Sequence, residues 1–458
     1  MQAAAAPVAL SRQQAVGAAS STEPPNVVFF LFDKCRTDAI GAYGASGVHT
    51  PNLDWLSSTG FRFSNCYTPQ PLCTPARASI LTGLYPHAHG LRKNVYQAPV
   101  WDGNPASYQE LIPSPFFDTR FHLWENFPLY LHSAGYETAH IGKWHLGVVN
   151  PGFFDTWNSF NSQLQHWVGK PHESRYRPDV HTEQAVEFIH RSSKRPFFLY
   201  LSFYPPHERS DPPREFLGQY RGEDREHLAY YASVSNLDWN VGRVLDVLRS
   251  EGVIDNTLII TATDHGRTWK ERPGTQEGMH ISYEDSSHIP LIIRFPGLFS
   301  GGKTWESGVS LVDIMPTILD VCGVSPYSFG KAELSGNTPE ACGRSLADMV
   351  RSGRDEWDRP IVIQSMSQTA YHNYYFEERG VRYGRWKLIL RRFDAVRALR
   401  DDELYDLQTD PSETRNVIAD RPDTVHELGR RLEEWASRSG DAVGLELARR
   451  AQATTKGG

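Results

Sequence analysis

Four apolar segments of this chain run directly into clusters of polar, titratable residues. The segments cover 26–32, 138–141, 196–204 and 257–263, and the clusters that follow them are Asp33, 142–145, 205–207 and 264–266. Segment 26–32 is apolar after its first residue, which is typical of a strand buried on both faces of a parallel sheet. The pattern therefore predicts four buried strands, each followed by polar residues that can take part in catalysis or ligand binding.

Helical patterns alternate with these segments. They cover 126–134, 179–192, 226–250 and 312–321. Strands that alternate with helices predict an α/β fold, in which a doubly wound, mostly parallel sheet is sandwiched by helices. Ligands of such folds bind outside the carboxyl ends of the strands. We therefore expect one site, assembled from all four polar clusters.

The chain is long enough for two structural units. Its 458 residues are 40% hydrophobic, which suffices for a large domain and a smaller one. Past residue 346 the pattern changes to short strand-like runs at 360–364, 380–383 and 386–390, then a charged helix at 422–438. We expect an α/β domain over 25–350 and a smaller C-terminal α+β subdomain, an antiparallel sheet plus a helix, over 351–440. The tails, 1–24 and 441–458, are expected to be disordered or flexible.

Charge and hydropathy exclude several kinds of protein. The formal net charge is -7 without a basic stripe, which argues against nucleic acid as a partner. No segment is long and apolar enough to span a membrane. The apolar stretch at 3–10 has no basic residue before it, so we see no clear signal peptide. Cytoplasmic and exported locations both stay open.

One cysteine lies in an unusual setting. Five cysteines are too few and too scattered for a disulfide scaffold. Thr74 before Pro75 predicts a helix N-cap, and Gly83 closes a helix over 75–82. Cys73 would then lie at a helix N-terminus, where backbone N–H groups and Arg77 favour a tetrahedral anion. A buried structural cysteine is the alternative, and for an isolated cysteine the more common one.

Residues 73–83 match, without a gap, the signature Cys-x-Pro-x-Arg followed by Ala-Ser-x-Leu-Thr-Gly. In this the chain resembles the type I sulfatases of the alkaline phosphatase superfamily. The resemblance runs from about 26 to 416 and includes five further blocks: 50–54, 142–147, the run ending at His207, 264–266, and 403–407 with Asp410, Pro411 and Glu413. It implies a sulfuric ester hydrolase, commonly periplasmic or secreted. It also implies that a formylglycine-generating maturation enzyme converts Cys73 to formylglycine, whose hydrated aldehyde supplies the attacking oxygen.

The resemblance also implies a metal site. Asp33, Asp264, His265 and the modified Cys73 match the family's ligands of a divalent cation, usually Ca²⁺, with Mg²⁺ or Mn²⁺ as further options. Carboxylates at strand ends suit a hard cation of this kind.

Four more residues match the family's catalytic groups. His207 is expected to protonate the leaving alcohol, and His145 to take a proton from the second hydroxyl of the hydrate. Both tasks suit a side chain whose pKa lies near neutrality. Lys143 and Arg77 are expected to hold the sulfate oxygens for in-line attack.

Two positions depart from the family pattern. Lys34 replaces a second aspartate next to Asp33, and Met279 stands where a substrate-binding lysine is usual. We expect Lys34 or His280 to supply the missing positive charge to the substrate.

Three functions are compatible with these residues. We interpret the chain as a sulfatase that acts on a small-molecule or oligosaccharide sulfate, with 95–124 and 157–177 as loops that choose the sugar. A phosphonate monoester or phosphodiester hydrolase on the same scaffold is the first alternative. The second is an inactive relative that binds sulfated glycans.

Overall fold

A computed structural model describes most of the chain. The described residues are 23–95, 125–162, 164–207, 210–222, 224–269, 281–325, 342–368, 375–394 and 401–454. The predicted N-terminal tail lies almost wholly outside them. No helix in these ranges is both long and apolar enough to cross a lipid bilayer.

Nine strands form the larger sheet. In chain order they are β1 (Asn26–Phe32), β2 (Phe61–Tyr67), β3 (Glu137–Lys143), β4 (Thr156–Phe160), β5 (Phe197–Ser202), β6 (Thr257–Thr263), β7 (His288–Ile289), β8 (Leu291–Arg294) and β9 (Lys303–Ser310). Their spatial order is β4-β3-β5-β1-β6-β8-β2-β7, and β9 pairs with β2. From β4 to β6 all neighbours are parallel, whereas β7 and β8 pair antiparallel with β2. The predicted mostly parallel sheet is confirmed.

Twelve helices occur among the described residues. They are α1 (Pro51–Thr59), α2 (Cys73–Thr82), α3 (Pro86–His89), α4 (Phe127–Ser133), α5 (Arg177–Ser192), α6 (Arg214–Leu217), α7 (Arg225–Ser250), α8 (Glu284–Ser287), α9 (Ile314–Val321), α10 (Leu346–Ser352), α11 (Pro422–Ser439) and α12 (Ala442–Thr454).

The larger sheet is covered by helices on both faces. Alternate side chains of β1 enter two separate cores, because successive residues of a strand point to opposite sides. Phe29 packs with residues of α2, α4 and α9, and Phe30 packs with residues of α1, α5 and α7. Burial on both faces explains why β1 is an apolar run without the alternation of a half-exposed strand.

Four antiparallel strands form the smaller sheet. They are β10 (Ile361–Gln368), β11 (Tyr375–Tyr383), β12 (Trp386–Asp394) and β13 (Glu403–Asp406), paired in that order. Apolar side chains of α11 and α12 cover this sheet, among them Leu432 and Leu447. The antiparallel α+β unit is therefore confirmed, while its boundaries at 351 and 440 stay a prediction.

The prediction of a flexible C-terminal tail was wrong for residues 442–454. They form α12, which packs against α11. Gly440 adopts a left-handed conformation with φ of 79° and ends α11, and the chain then turns back. Leu447 and Ala451 lie one helical turn apart and are both buried. Such i, i+4 spacing gives the helix one apolar face.

A buried lysine joins the two units. Lys387 on β12 places Nζ 2.9 Å from Oε1 of Glu284 and 2.9 Å from Oε1 of Glu413. Glu413 also accepts a hydrogen bond of 2.7 Å from the backbone N–H of Glu284. Its φ of 53° is unusual for a residue with a side chain. This network attaches α8, from the larger unit, to the smaller sheet.

Removing this lysine should destabilise the protein strongly. In Lys387→Met the buried carboxylate of Glu413 and the partly buried one of Glu284 lose their shared cation, so we expect the free energy of unfolding to fall by about 3 kcal/mol or more. Denaturant titration monitored by tryptophan fluorescence measures the change. Lys170→Met is the matched control, because Lys170 pairs with Glu173 while 72% exposed; its cost should stay below about 1 kcal/mol. Equal costs for the two variants would contradict the structural role of Lys387.

Candidate active site

The carboxyl ends of four neighbouring strands meet at one edge of the larger sheet. Asp33 follows β1 and Asp264 follows β6, and these two strands are parallel neighbours with Phe32 opposite Thr263. Lys143 ends β3 and Ser202 ends β5, which lie on the other side of β1. Parallel order thus gathers residues that are far apart in sequence.

Helix α2 supplies Cys73 to this edge, but it begins earlier than predicted. Its first residue is Cys73 and its N-cap is Leu72, so the assignment of Thr74 as N-cap was wrong. The Thr74 hydroxyl instead donates a hydrogen bond of 2.7 Å to the carbonyl of His145. The Thr74 side chain, which the local sequence assigned to capping, is therefore bonded to an acceptor distant in the chain.

Four buried side chains form a group that can hold a metal ion. They are Asp33, Cys73, Asp264 and His265, and one ligand atom from each lies within 4.8 Å of the others. Nδ1 of His265 lies 2.8 Å from the carbonyl of Gly266, an acceptor, so this nitrogen carries the proton. Nε2 then keeps its lone pair and lies 3.2 Å from Sγ of Cys73. Two carboxylates and a neutral imidazole suit a hard divalent cation.

Two positively charged side chains compensate the negative charge of Asp33 and Asp264. Nζ of Lys143 lies 2.5 Å from Oδ2 of Asp33, and Arg77 contacts both Asp33 (3.1 Å) and Asp264 (2.9 Å). Burial alone would raise the pKa of Asp33, but Lys143, His207 and Arg77 hold that pKa well below its ordinary value. The carboxylate is thus ionised.

Arg77 is bonded to protein groups on several sides. Besides the two aspartates, Nη1 donates to the carbonyl of Lys143 (2.7 Å) and to Oγ of Ser202 (2.8 Å). The side chain is only 1% exposed. Arg77 therefore fixes the positions of the Asp33 and Asp264 side chains. Contact between Arg77 and the sulfate stays a prediction.

The Cys73 thiol is poorly suited to act as a thiolate. Burial, together with the charge of Asp33, raises its pKa far above the ordinary value. Sγ lies 3.7 Å from Nζ of Lys143. The thiol therefore stays protonated near neutral pH.

His145 adopts a left-handed conformation at the site, with φ of 58°. Its backbone N–H donates to the carbonyl of Asn161 at 2.9 Å. Neither ring nitrogen has a hydrogen-bond partner within the described part of the chain, although the residue is only 4% exposed. Burial, with Lys143 and Arg77, lowers the pKa of His145 well below the usual value. The ring is therefore neutral and open to a ligand.

Tyr204 brings His207 and Lys143 together. The His207 ring stacks on Tyr204 with centroids 4.8 Å apart, and Nζ of Lys143 lies 4.8 Å from the same ring. Sequence reasoning missed Tyr204, and the available signal was its place two residues after the end of β5 and just before the polar cluster 205–207.

Of the two positions that depart from the family pattern, Lys34 lies among the described residues and Met279 does not. Lys34 is fully buried, with φ of 62°, and its carbonyl accepts a hydrogen bond of 2.8 Å from the Tyr230 hydroxyl. Its positive charge acts on His265. Met279 and His280 lie outside the described residues, as does nearly all of the 95–124 loop.

Two glycines permit close backbone contacts beneath the site. A Cβ on Gly266 would lie 2.2 Å from the carbonyl oxygen of Asp285, and one on Gly142 would lie 1.9 Å from that of Ser202. Gly142 also has φ of 104°, which side chains disfavour. These glycines therefore allow the loops that carry Asp264 and Lys143 to pack tightly.

Comparison with known proteins places the chain in a family. The family model described as Sulfatase matches residues 25–324, and that described as N-sulphoglucosamine sulphohydrolase, C-terminal, matches 279–438. An arylsulfatase of Clostridium perfringens is 26% identical, over 86% of this chain and 90% of its own length. An N-acetylglucosamine-6-O-sulfatase of Bacteroides thetaiotaomicron is 26% identical, over 90% and 86%.

Solved structures show the same fold. A structure in complex with D-glucosamine-2-N,6-O-disulfate is 23% identical with a TM-score of 0.72, covering 93% of this chain and 100% of the other. The PsFucS1 sulfatase from Pseudoalteromonas sp. is 20% identical with a TM-score of 0.65, covering 94% and 91%. On the family match and the arrangement of its site, this chain belongs to the sulfatase family of enzymes.

Proposed function

We propose that this sulfatase hydrolyses a sulfate ester on a carbohydrate, using a formylglycine made from Cys73 and a divalent cation, Ca²⁺ by preference. The observation that carries the proposal is the convergence of Asp33, Cys73, Asp264 and His265 within 4.8 Å. Relatives named N-acetylglucosamine-6-O-sulfatase and N-acetylgalactosamine-6-sulfatase support the carbohydrate class.

The cation and the formylglycine make different contributions. When bound, the cation supplies positive charge to the sulfate oxygens, and the formylglycine hydrate supplies the attacking hydroxyl. Asp33, Asp264 and His265 hold the cation beside residue 73. Asp264 accepts hydrogen bonds from the backbone N–H of His265 at 2.9 Å and from Nε of Arg77 at 2.9 Å, so its orientation is fixed before substrate binds.

Lys143 is the main cation that faces the reacting centre. Its Nζ lies between Asp33 and Sγ of Cys73, 2.5 Å and 3.7 Å away. An anionic sulfate that enters next to residue 73 meets this ammonium group directly. Arg77 acts behind it, and Lys34 and His280 are proposed to bind the remaining anionic oxygens.

Two histidines have distinct proton roles. His145 is neutral, and both its ring nitrogens lack partners among the described residues, so it can accept a proton from the second hydroxyl of residue 73. His207 is proposed to hold a proton at a ring nitrogen for the leaving sugar oxygen. Its stacking on Tyr204 restricts the ring to one plane and therefore favours one direction of transfer.

A panel of esters tests the reaction. Enzyme co-expressed with a formylglycine-generating enzyme should hydrolyse 4-nitrophenyl sulfate faster than 4-nitrophenyl phenylphosphonate or bis(4-nitrophenyl) phosphate. A clear preference for either phosphorus ester would favour the first alternative function. Lack of turnover of every ester, with residue 73 modified, would favour the glycan-binding alternative.

Cys73→Ala should abolish turnover, because alanine cannot be converted to formylglycine, and should leave the fold intact, because the substitution removes only one sulfur atom. The measurement combines activity with circular dichroism and with mass spectrometry of the peptide over residue 73. In the unsubstituted enzyme that peptide should carry formylglycine in place of cysteine. Wild-type activity in the variant would overturn the assigned nucleophile.

Calcium should stabilise the folded protein through the buried ligands. At about a hundredfold its Kd, a ligand that binds only the native state adds about 2.7 kcal/mol to the free energy of unfolding. Thermal denaturation with Ca²⁺ and with chelator measures this gain, which Asp264→Asn should abolish. Asp255→Asn is the matched control, since Asp255 is 77% exposed and should keep the full gain. An unchanged gain in Asp264→Asn would refute the metal site.

The loss of activity in His207→Gln should depend on the leaving group of the substrate. A sugar alcohol needs a proton as it departs, whereas 4-nitrophenolate does not. We expect kcat for a sulfated sugar to fall by about a hundredfold or more and kcat for 4-nitrophenyl sulfate to fall far less. Equal losses on both substrates would contradict the role of His207 as general acid.

A further inference from the structure

A short hairpin spans residues 166–177 and packs against the segment that follows His207. Trp167 and Tyr176 pair antiparallel at its base, and the backbone N–H of Arg177 donates to the carbonyl of His166 at 2.7 Å. Nε1 of Trp167 donates to the carbonyl of Asp211 at 2.9 Å. The carbonyl of His166 and the side chain of the next residue are therefore both held in place.

The ring of His166 lies against the aromatic group of the active site. It meets Tyr204 edge-on, with centroids 5.0 Å apart and planes at 85°. The same Tyr204 ring carries His207 on its face and lies near Lys143. The charges that act on His166 include those of His207 and Asp33. His166 is thus separated by one side chain from the groups proposed to act on the sulfate ester.

His166 has an unsatisfied polar atom. The residue is 8% exposed, and Nδ1 is buried without a hydrogen-bond partner in the described ranges. Most buried polar atoms have a hydrogen-bond partner, so an atom in this state is a candidate for contact with a bound molecule. His172, on the same hairpin, also has a buried Nδ1 without a partner among the described residues, but its Nε2 lies 2.7 Å from Oδ1 of Asp211.

The chemistry of the ring favours a neutral partner. Burial, together with His207, lowers the pKa of His166 to about 4, so the imidazole is uncharged at neutral pH. A neutral imidazole offers one N–H donor and one lone pair, which a hydroxyl group can complement. An anion is better served by the ammonium group of Lys143, which lies near the same Tyr204 ring.

We propose that His166 is a specificity-determining residue that hydrogen-bonds a hydroxyl group of the sugar that carries the sulfate. The inference rests on the proposed function, since it assumes that a sulfated sugar occupies the site. His166 then selects sugar sulfates over sulfates of the same shape that lack hydroxyl groups. Because the hairpin fixes the ring beforehand, little side-chain entropy is lost on binding.

His166→Phe tests the proposal, because it keeps an aromatic ring against Tyr204 and removes both nitrogens. The sugar probes are N-acetylglucosamine 6-sulfate and N-acetylgalactosamine 6-sulfate, of which the faster is used. Cyclohexylmethyl sulfate and 4-nitrophenyl sulfate are the probes without hydroxyl groups. We expect kcat/KM for the sugar to fall by about tenfold and that for the other two to stay within about twofold.

Two further variants separate recognition from structure. His166→Asn retains a donor and an acceptor near the position of Nδ1, so it should recover part of the sugar activity. His172→Phe breaks the contact with Asp211 and loosens the same hairpin, so it should change all probes by a similar factor. This control distinguishes a displaced loop from a lost hydrogen bond.

The remaining outcomes count against the proposal. An equal loss on all probes in His166→Phe, or no loss at all, would overturn it while leaving the sulfatase function standing. Turnover of the hydroxyl-free probes by the unsubstituted enzyme without turnover of either sugar would also overturn it. Failure to cleave any sulfate ester, with formylglycine present at residue 73, would refute the proposed function itself and this inference with it.

Discussion

One guanidinium group holds the site together. Arg77, from α2, contacts Asp33 after β1, Asp264 after β6, the carbonyl of Lys143 at the end of β3 and Ser202 at the end of β5. The ends of four parallel strands are therefore joined by one buried side chain. Two buried carboxylates side by side would be very unfavourable without such compensation. The geometry of the proposed cation site thus depends on a cation that the chain itself supplies.

The smaller unit supports the same site from behind. The backbone N–H groups of Ser282 and Glu284 donate to Glu378 and Glu413 of the smaller unit. Ser286, in the same turn as Ser282 and Glu284, accepts a hydrogen bond at its carbonyl from the backbone N–H of Gly266. The turn and the smaller sheet thus form one hydrogen-bonded structure, and both lie within the residues 279–438 that the second family model matches.

Two parts of the site differ in character. Asp33, Asp264 and Lys143 form a charged, buried part of the site, with carboxylates for a cation and an ammonium group for an anion. Next to it, Tyr204 and His166 present an aromatic ring and a neutral imidazole. Sulfate chemistry requires charge, whereas sugar hydroxyl groups are bound by neutral polar groups and aromatic rings. In the proposed function, Tyr204 therefore lies between the groups that react with the sulfate and the group that recognises the sugar.

The sequence by itself determined the fold class, the strand ends that carry polar groups, and the family to which the Cys73 block belongs. These features are local, because buried strands, helix periodicity and an eleven-residue signature (73–83) can all be recognised without contacts between distant residues. Only the tertiary structure decided that α2 begins at Cys73, that residues 442–454 form a helix, and that His166 faces Tyr204. Each of these depends on a partner distant in the chain or in a separate element: Thr74 on His145, α12 on α11, and the 166–177 hairpin on Asp211. Local propensity cannot anticipate such contacts, since the competing partner comes close only when the chain has folded.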